Sequence, residues 1–453
     1  MRSLSAFLQA LERVNVPCMF SCRVVSGGRK AHFDRRADPA AESHGRPVDF
    51  VIKSLKLRDQ DPKVTRRKTA ILRQHPGLLA ALCGSVLLAS CGLDGTDRDT
   101  DDKAPSAKVA EEAEAIGEVF EDVSIPDSEQ RPTMQLQVVL DRQGFGPGVI
   151  DGRAGLSTAN ALKGFQEATG LEVTGEFDLA TRGALARWEN VAATRVVRIP
   201  ESWGRDRYRA VPEEPADQAK LDALGYASID ERLAERFHTT VEVLHALNPG
   251  GRPATTQSEA PAPGPSAPAG EVRPVFAAGQ LVRVPNAGVD HVGAASGDSA
   301  EWRRTLTSLG VDGVQPDAAL VVVDKSDSWL KAYDAGGKLI AMFTVTTGSG
   351  NDPLPLGEWG INGVARNPPF AYDPDLFWDV PDDEEEQHLP PGPNGPVGVV
   401  WIDLTREHYG IHGTPHPETI GRAQSHGCVR LTNWDAARLA GMVDGSTKVV
   451  FEA

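Results

Sequence analysis

Leu320-Val321-Val322-Val323, then Ser328-Trp329-Leu330-Lys331-Ala332-Tyr333, Asp334-Ala335-Gly336-Gly337 and Leu339-Ile340-Ala341-Met342-Phe343-Thr344-Val345 decide the fold of the C-terminal part. The first run is short, apolar and β-branched. The second alternates with period two. The Gly-rich turn then sends the chain back along a third run. Period-two alternation on both sides of a Gly-rich connection is the pattern of antiparallel β-strands. Further strands are expected at Glu358–Val364, Val397–Leu404 and Val449–Phe451. Only Asn433–Met442 reads as a clear helix, so residues 318–453 are expected to be mainly β.

Two segments inside this region carry chemistry. They are His408-Tyr409-Gly410-Ile411-His412-Gly413-Thr414 and Ser425-His426-Gly427-Cys428-Val429-Arg430-Leu431. A cysteine with histidines nearby suits covalent catalysis, because the thiolate is the nucleophile and an imidazole can take its proton. A small residue beside the nucleophile, here Gly427, leaves backbone N–H groups free to face a developing oxyanion. A zinc site is a second reading, because His408, His412 and His416 are spaced i, i+4, i+8 and His426 and Cys428 follow. That spacing needs a helix, which Gly410, Gly413, Pro415 and Pro417 oppose. No metal and no cofactor is therefore expected. A third reading makes them a buried cysteine and ordinary histidines.

Ile411-His412-Gly413-Thr414 followed by Ser425-His426-Gly427-Cys428-Val429-Arg430 resembles the motif of the YkuD-type L,D-transpeptidases. Pro355-Leu356-Gly357-Glu358-Trp359, Asn367-Pro368-Pro369 and Leu389–Pro396 support the likeness, the last in the form found in Gram-negative periplasms. The resemblance covers 318–453. It implies that Cys428 attacks the third, diamino acid residue of a peptidoglycan tetrapeptide stem, the donor, and expels the terminal D-Ala. It implies His412 as base, with the Gly413 carbonyl a candidate to fix its tautomer, and the Gly427 and Cys428 N–H groups as oxyanion hole. His426 would support the site. Thr414 and Ser425 are candidate substrate contacts, Ser425 otherwise a cap. Arg430 either binds a donor carboxylate or makes a structural ion pair. The acceptor is an amine, on a second stem (a 3–3 cross-link) or on an outer-membrane lipoprotein. Water as acceptor would make a hydrolase or carboxypeptidase on the same site. A non-catalytic wall-binding lipoprotein is the remaining alternative. Residues 365–396 are expected to form a lid or rim carrying the acidic run Asp382–Glu386.

Outward from this domain, residues 132–190 hold three helical patterns separated by Gly144-Phe145-Gly146-Pro147-Gly148-Val149-Ile150-Asp151-Gly152 and Val173-Thr174-Gly175. Leu136, Val139 and Leu140 mark the first helix. Thr158 is the expected cap of the second, with Ala161, Leu162 and Phe165 inside. The third runs Thr181–Leu185. The pattern is similar to the peptidoglycan-binding domain 1 family, mostly at core and turn positions. Residues 205–286 give a helix capped by Ser228 with Glu231 as its box partner. A second helix starts at Thr239-Thr240 and stops at Asn248-Pro249-Gly250, and a strand follows near Leu281–Pro285. This resembles a LysM module, interrupted by a Pro/Ala/Gly insert at 250–274 and with a poorly marked first strand.

The N-terminal region reads as export machinery. Arg66, Arg67, Lys68 and Arg73 precede an apolar run Leu78–Leu88, too short to span a bilayer, for which roughly 20 residues are needed. It ends in Leu88-Ala89-Ser90-Cys91-Gly92, which resembles a bacterial lipobox with Cys91 the lipidated residue. Residues 66–91 are thus expected to be a lipoprotein signal peptide. Residues 1–65 are read as disordered or as preceding the true start near Val64, and 92–131 as a disordered acidic tether. The expected location is the periplasm of a Gram-negative bacterium, lipid-anchored at the outer membrane. The 453-residue chain has a net charge of −16, which argues against nucleic acid, whose phosphates need a basic face. Cys18 and Cys22 form half of a zinc pattern with no second half, and the five cysteines do not make a disulfide framework.

Overall fold

The computed structural model describes residues 120–254, 274–293, 295, 297–376, 380 and 384–453. The signal segment with Cys91, residues 1–119 of the leader and tether, most of the 250–274 insert, and Asp382 and Asp383 lie outside the described residues. Of the acidic tether expected over 92–131, residues 120–131 are described, and they do not form a plain solvated tether. Phe120 is buried and Glu121–Val123 is a strand, β1. Its backbone donors and acceptors find partners in a sheet, which a solvated tether would not supply.

The first helix, α1, runs Pro132–Arg142, with Pro132 in its first turn, where the missing N–H costs nothing. After the two-residue strand β2, Phe145–Gly146, comes α2, Leu156–Ala168. Thr158 does not cap it, contrary to expectation. Gly155 holds the cap position without a side-chain bond, and Thr158 sits inside the first turn, buried, accepting from Gln137 Nε2 at 3.2 Å. The third helix, α3, is Leu179–Leu185, capped by Asp178, whose carboxylate accepts the Thr181 N–H at 2.8 Å. Gln166 pins the loop before it, donating to Thr174 Oγ1, the Glu176 carbonyl and Thr181 Oγ1, while its own oxygen accepts from the Thr174 and Gly175 N–H groups.

The middle of the chain supplies the strand the sequence marked poorly. It is β3, Thr194–Arg198, which lies before residue 205. Helices α4, Ile229–Arg236, and α5, Val241–Leu247, follow, then β4, Leu281–Pro285. β3 pairs antiparallel with both β1 and β4. The two helices pack on this sheet through Leu233, Phe237, Leu244, Val282 and Val284. Ser228 caps α4, accepting the Glu231 N–H at 3.1 Å, and Glu231 in turn accepts from the Ala227 N–H. A further helix, α6, Ala300–Leu309, has Ser299 as cap and Gly310 in the left-handed conformation at its end.

The remaining strands are β5 Leu320–Asp324, β6 Trp329–Tyr333, β7 Leu339–Thr344, β8 Gly357–Arg366, β9 Phe370–Tyr372, β10 Gln387–Leu389, β11 Val400–Leu404, β12 Gly410–His412, β13 Val429–Arg430 and β14 Lys448–Glu452. One helix, α7, Asn433–Met442, lies among them. The large sheet has the order β13-β12-β11-β8-β14-β5-β6-β7-β2. Its last strand comes from the N-terminal three-helix unit: Phe145 and Gly146 pair parallel with Met342 and Phe343. That unit therefore covers the edge of the sheet, an edge that would otherwise be an unpaired template for another chain. Phe145, Leu162 and Phe165 bury Trp329, Leu339 and Met342 of the β6–β7 hairpin.

Candidate active site

β12 and β13 run parallel, with Ile411 opposite Val429 and His412 opposite Arg430. Ile411 and Val429 both enter the core under the sheet. Period-two alternation then puts His412, Arg430 and Cys428, two residues before Arg430, on the other face. Gly410, beside Cys428, lets the Trp401 indole pack against the backbone there, since a Cβ would stand 2.6 Å from that ring.

His412 is buried, and its ring is stacked on Trp401 with centroids 5.6 Å apart. Its Nδ1 lies 2.7 Å from the Gly413 carbonyl. A carbonyl only accepts, so in the neutral ring the proton is on Nδ1 and the lone pair on Nε2. Burial, aided by the Arg430 charge, pushes the imidazole down to about 3 against a weaker opposing pull from the Gly413 bond. Cys428 is partly exposed, and its Sγ donates to the His408 carbonyl at 3.7 Å. Burial pushes its thiol up, partly offset by the Gly410 N–H and the Arg430 charge. Both shifts favour a neutral thiol and a neutral imidazole over the ion pair.

The turn before Cys428 is tightly tied. Ser425 Oγ donates to the Cys428 carbonyl at 2.5 Å, while the Ser425 N–H donates to Thr347 and its carbonyl accepts from Ser349, both at 3.0 Å. Gly427 has φ +105°, and a Cβ there would meet the Tyr409 ring at 2.6 Å. Among the described residues, the N–H groups of Gly427 and Cys428 donate to no protein acceptor. They are available to an oxyanion. His426, partly buried, lies in the same turn. Thr414 is buried, and its Oγ1 accepts the His416 N–H at 3.2 Å.

Arg430 has a buried Nε with no partner and makes no ion pair among the described residues. The structural ion pair considered for it is not formed. The histidine series also separates: His408 is exposed at φ +65° beside Glu407, His412 is on a strand, and His416 lies 3.6 Å from Glu418. Among the described residues no three His, Cys, Asp or Glu side chains come together as a metal site. Sequence reading missed Trp401, the His408 carbonyl and Asn433, which packs against Gly413. Strand register alone brings Trp401 to His412, and no local pattern encodes that.

Residues 318–451 match the family model of the L,D-transpeptidase catalytic domain, YkuD, and residues 130–185 that of a peptidoglycan binding domain. The C-terminal segment is a YkuD-type L,D-transpeptidase catalytic domain. Among relatives, the L,D-transpeptidase YkuD of Bacillus licheniformis is 49% identical over 59 residues, 13% of this chain and 36% of that protein. The L,D-transpeptidase YqjB of Bacillus subtilis is 28% identical over 30% of this chain and 72% of that protein. The chain spans about a third of the length of the first relatives it matches, 36% and 35%. A solved L,D-transpeptidase from Mycobacterium smegmatis is 23% identical, over 30% of this chain and 59% of that one, with a TM-score of 0.25.

Proposed function

We propose that this protein is a cell-wall acyltransferase that carries a peptidoglycan stem on Cys428 and passes it to an amine. The observation that carries the reading is the single face shared by Cys428, His412 with a free Nε2, and the unpaired Gly427 and Cys428 N–H groups. These are the nucleophile, base and oxyanion donors of acyl transfer.

In the first half-reaction the Cys428 thiol gives its proton to His412 Nε2 as sulfur attacks the carbonyl of the third stem residue. The oxyanion turns to the two N–H groups. Collapse breaks the bond to the terminal D-Ala, whose amine leaves with the proton from His412, and a thioester remains. In the second half an acceptor amine attacks the thioester, its proton passes to His412, and the thiolate leaves and is reprotonated. Burial keeps the His412 ring neutral with its Nε2 lone pair unprotonated, and the same burial opposes the proton transfer, so the charge that forms on the ring must be stabilised as the substrate binds. The unpaired Arg430 guanidinium is suited to a donor carboxylate.

The wall ties the other modules to this role. A cleft of about 440 Å³ opens between Asp151–Thr158 of the N-terminal unit, Glu242–Leu247 of α5 and Pro417–Arg422 of the catalytic loop. A wall strand held by the binding domain would lie along the loop that joins His412 to Cys428. The strand–helix–helix–strand order of the middle module favours the LysM-like reading, with amino-sugar chains as ligand. Cys91 would anchor the protein by lipid on the periplasmic side of the outer membrane, with a stem amine or a lipoprotein lysine as acceptor.

Mass spectrometry of a disaccharide-tetrapeptide incubated with the full chain, wild type and Cys428→Ala, tests the proposal. Cross-linked dimers and released D-Ala are expected from wild type only. Trimmed monomers without dimers would move the assignment to hydrolysis. No product from wild type would overturn it for this donor.

A further inference from the structure

His412 is held by a chain of contacts that begins outside its own domain. Asn433, fully buried at the start of α7, donates through Nδ2 to Glu235 Oε1 at 2.6 Å and to the Pro393 carbonyl at 3.0 Å. Its Oδ1 accepts the Val399 N–H at 3.3 Å and lies so close to Gly398 and Gly413 that neither could carry a Cβ. The amide can face only one way. Two of its neighbours are acceptors and must meet the NH2, while Val399 is a donor and must meet the oxygen. Gly413, seated against that oxygen, supplies the carbonyl that fixes His412 Nδ1.

Glu235 belongs to α4 of the middle module. It too is buried, and the Tyr226 hydroxyl completes its hydrogen bonding. The same segment grips the 391–394 loop. The Leu224 N–H donates to the Pro391 carbonyl at 2.9 Å, the Asn394 N–H to the Leu224 carbonyl at 3.0 Å, and Asn394 Nδ2 to Glu231 Oε1 at 2.8 Å. Glu231 and Glu235 lie one helical turn apart and share one face of α4. One face thus holds both the rim loop and the residue behind His412.

We infer that Glu235 is a positioning residue of the active site: by orienting the Asn433 amide it seats Gly413 and so aims the His412 ring. This rests on Cys428 and His412 being the reacting pair, but its readouts need no peptidoglycan. The middle module is then part of the catalytic apparatus as well as a candidate wall binder.

The test uses the full chain with 15N-labelled histidine and asparagine. Three variants are made: Glu235→Leu and Glu235→Met, which fill the space without an acceptor, and Glu235→Gln, which keeps one. His412 Nδ1–H is read by NMR. Alkylation of Cys428 by iodoacetamide at pH 8 is read by site-resolved mass spectrometry. In folded Leu and Met variants the Nδ1–H signal should weaken or exchange rapidly, and alkylation should slow about tenfold. The Gln variant should stay within about threefold of wild type. Unchanged His412 spectra and alkylation in a folded Leu or Met variant would overturn the inference. Equal losses in Gln and Leu would assign the effect to charge and also overturn it. Wild-type spectra decide if those variants fail to fold. The Asn433 side-chain protons should be protected from solvent exchange together with His412 Nδ1–H, and rapid exchange of Asn433 would overturn the assignment.

Discussion

At the scale of single residues, Gly427 carries the hardest geometric demand. Its φ of +105° and the Tyr409 ring 2.6 Å from an added Cβ leave no room for alanine. Gly427→Ala should cost about 1–3 kcal/mol in thermal unfolding and sharply slow Cys428 alkylation, because the turn that aims Sγ and two N–H groups must move. The Cys428 and His412 side chains, the proposed reacting pair, make a separate pH prediction. His412 is lowered to about 3, so an NMR titration should show no His412 inflection between pH 5 and 8. Since its folded value lies below the ordinary 6.5, the stability it contributes is complete above 6.5 and is lost as pH falls towards 3. Burial raises the Cys428 thiol, so its alkylation rate should climb with a midpoint above the ordinary 9.0. An inflection of His412 near 6.5 would mean a hydrated ring and contradict the buried geometry. Cys428, His412 and the small residues beside them were legible in sequence because chemistry restricts those residue types. The partners that tune them were not. Trp401 reaches His412 through strand register and Asn433 reaches Gly413 through packing, and both relations are non-local.

At the scale of elements, the sequence patterns worked where periodicity and capping are local. The helix expected at Asn433–Met442, the cap at Ser228 and the helix start at Thr239-Thr240 are in place, the last with Thr240 itself as cap. Thr158 failed as a cap because the tertiary contact to Gln137 draws its hydroxyl inward. β1 and β3 escaped because short strands held by pairing with distant segments, β1 to β3 and β3 to β4, have little local signature. The contact of α2 with the sheet gives a direct test. A Cβ at Gly164 would stand 2.8 Å from Met342 Cβ and from Phe145 Cδ1, whereas at Gly183 of α3 nothing lies within 4 Å. Gly164→Ala should therefore destabilise by about 1–3 kcal/mol through overpacking. Gly183→Ala should stabilise by about 0.4–1 kcal/mol, since a helical glycine only adds freedom to the unfolded chain. Chemical denaturation of both variants checks the pair. Equal effects would mean that α2 does not press on β7 through Gly164.

At the scale of the whole molecule, three modules meet at one buried cluster. Asp141 of α1 takes two bonds from Arg438 of α7, each 2.9 Å, and lies 3.2 Å from His238 Nδ1 at the end of α4. His238 stacks on Trp434 with centroids 5.0 Å apart. Removing one member of such a pair strands a charge without water, so Asp141→Ala should cost about 3–5 kcal/mol and loosen all three modules in one transition. Asp435 sits in the same cluster with one carboxylate oxygen unpartnered. Burial, together with the Asp141 charge, pushes it up to about 7 despite Arg438. A folded value raised above the ordinary 3.8 favours the fold at low pH, and that contribution is lost as pH rises through about 7. Asp435→Asn removes this titration. Relative to wild type it should gain stability between pH 4 and about 7, by at most about 1.4 kcal/mol per pH unit, and level off above that. Urea unfolding of both proteins at pH 4, 6 and 8 reads the difference directly. A gap between them that does not widen with pH would mean that Asp435 is ionised throughout, and that the junction holds two carboxylates against one arginine.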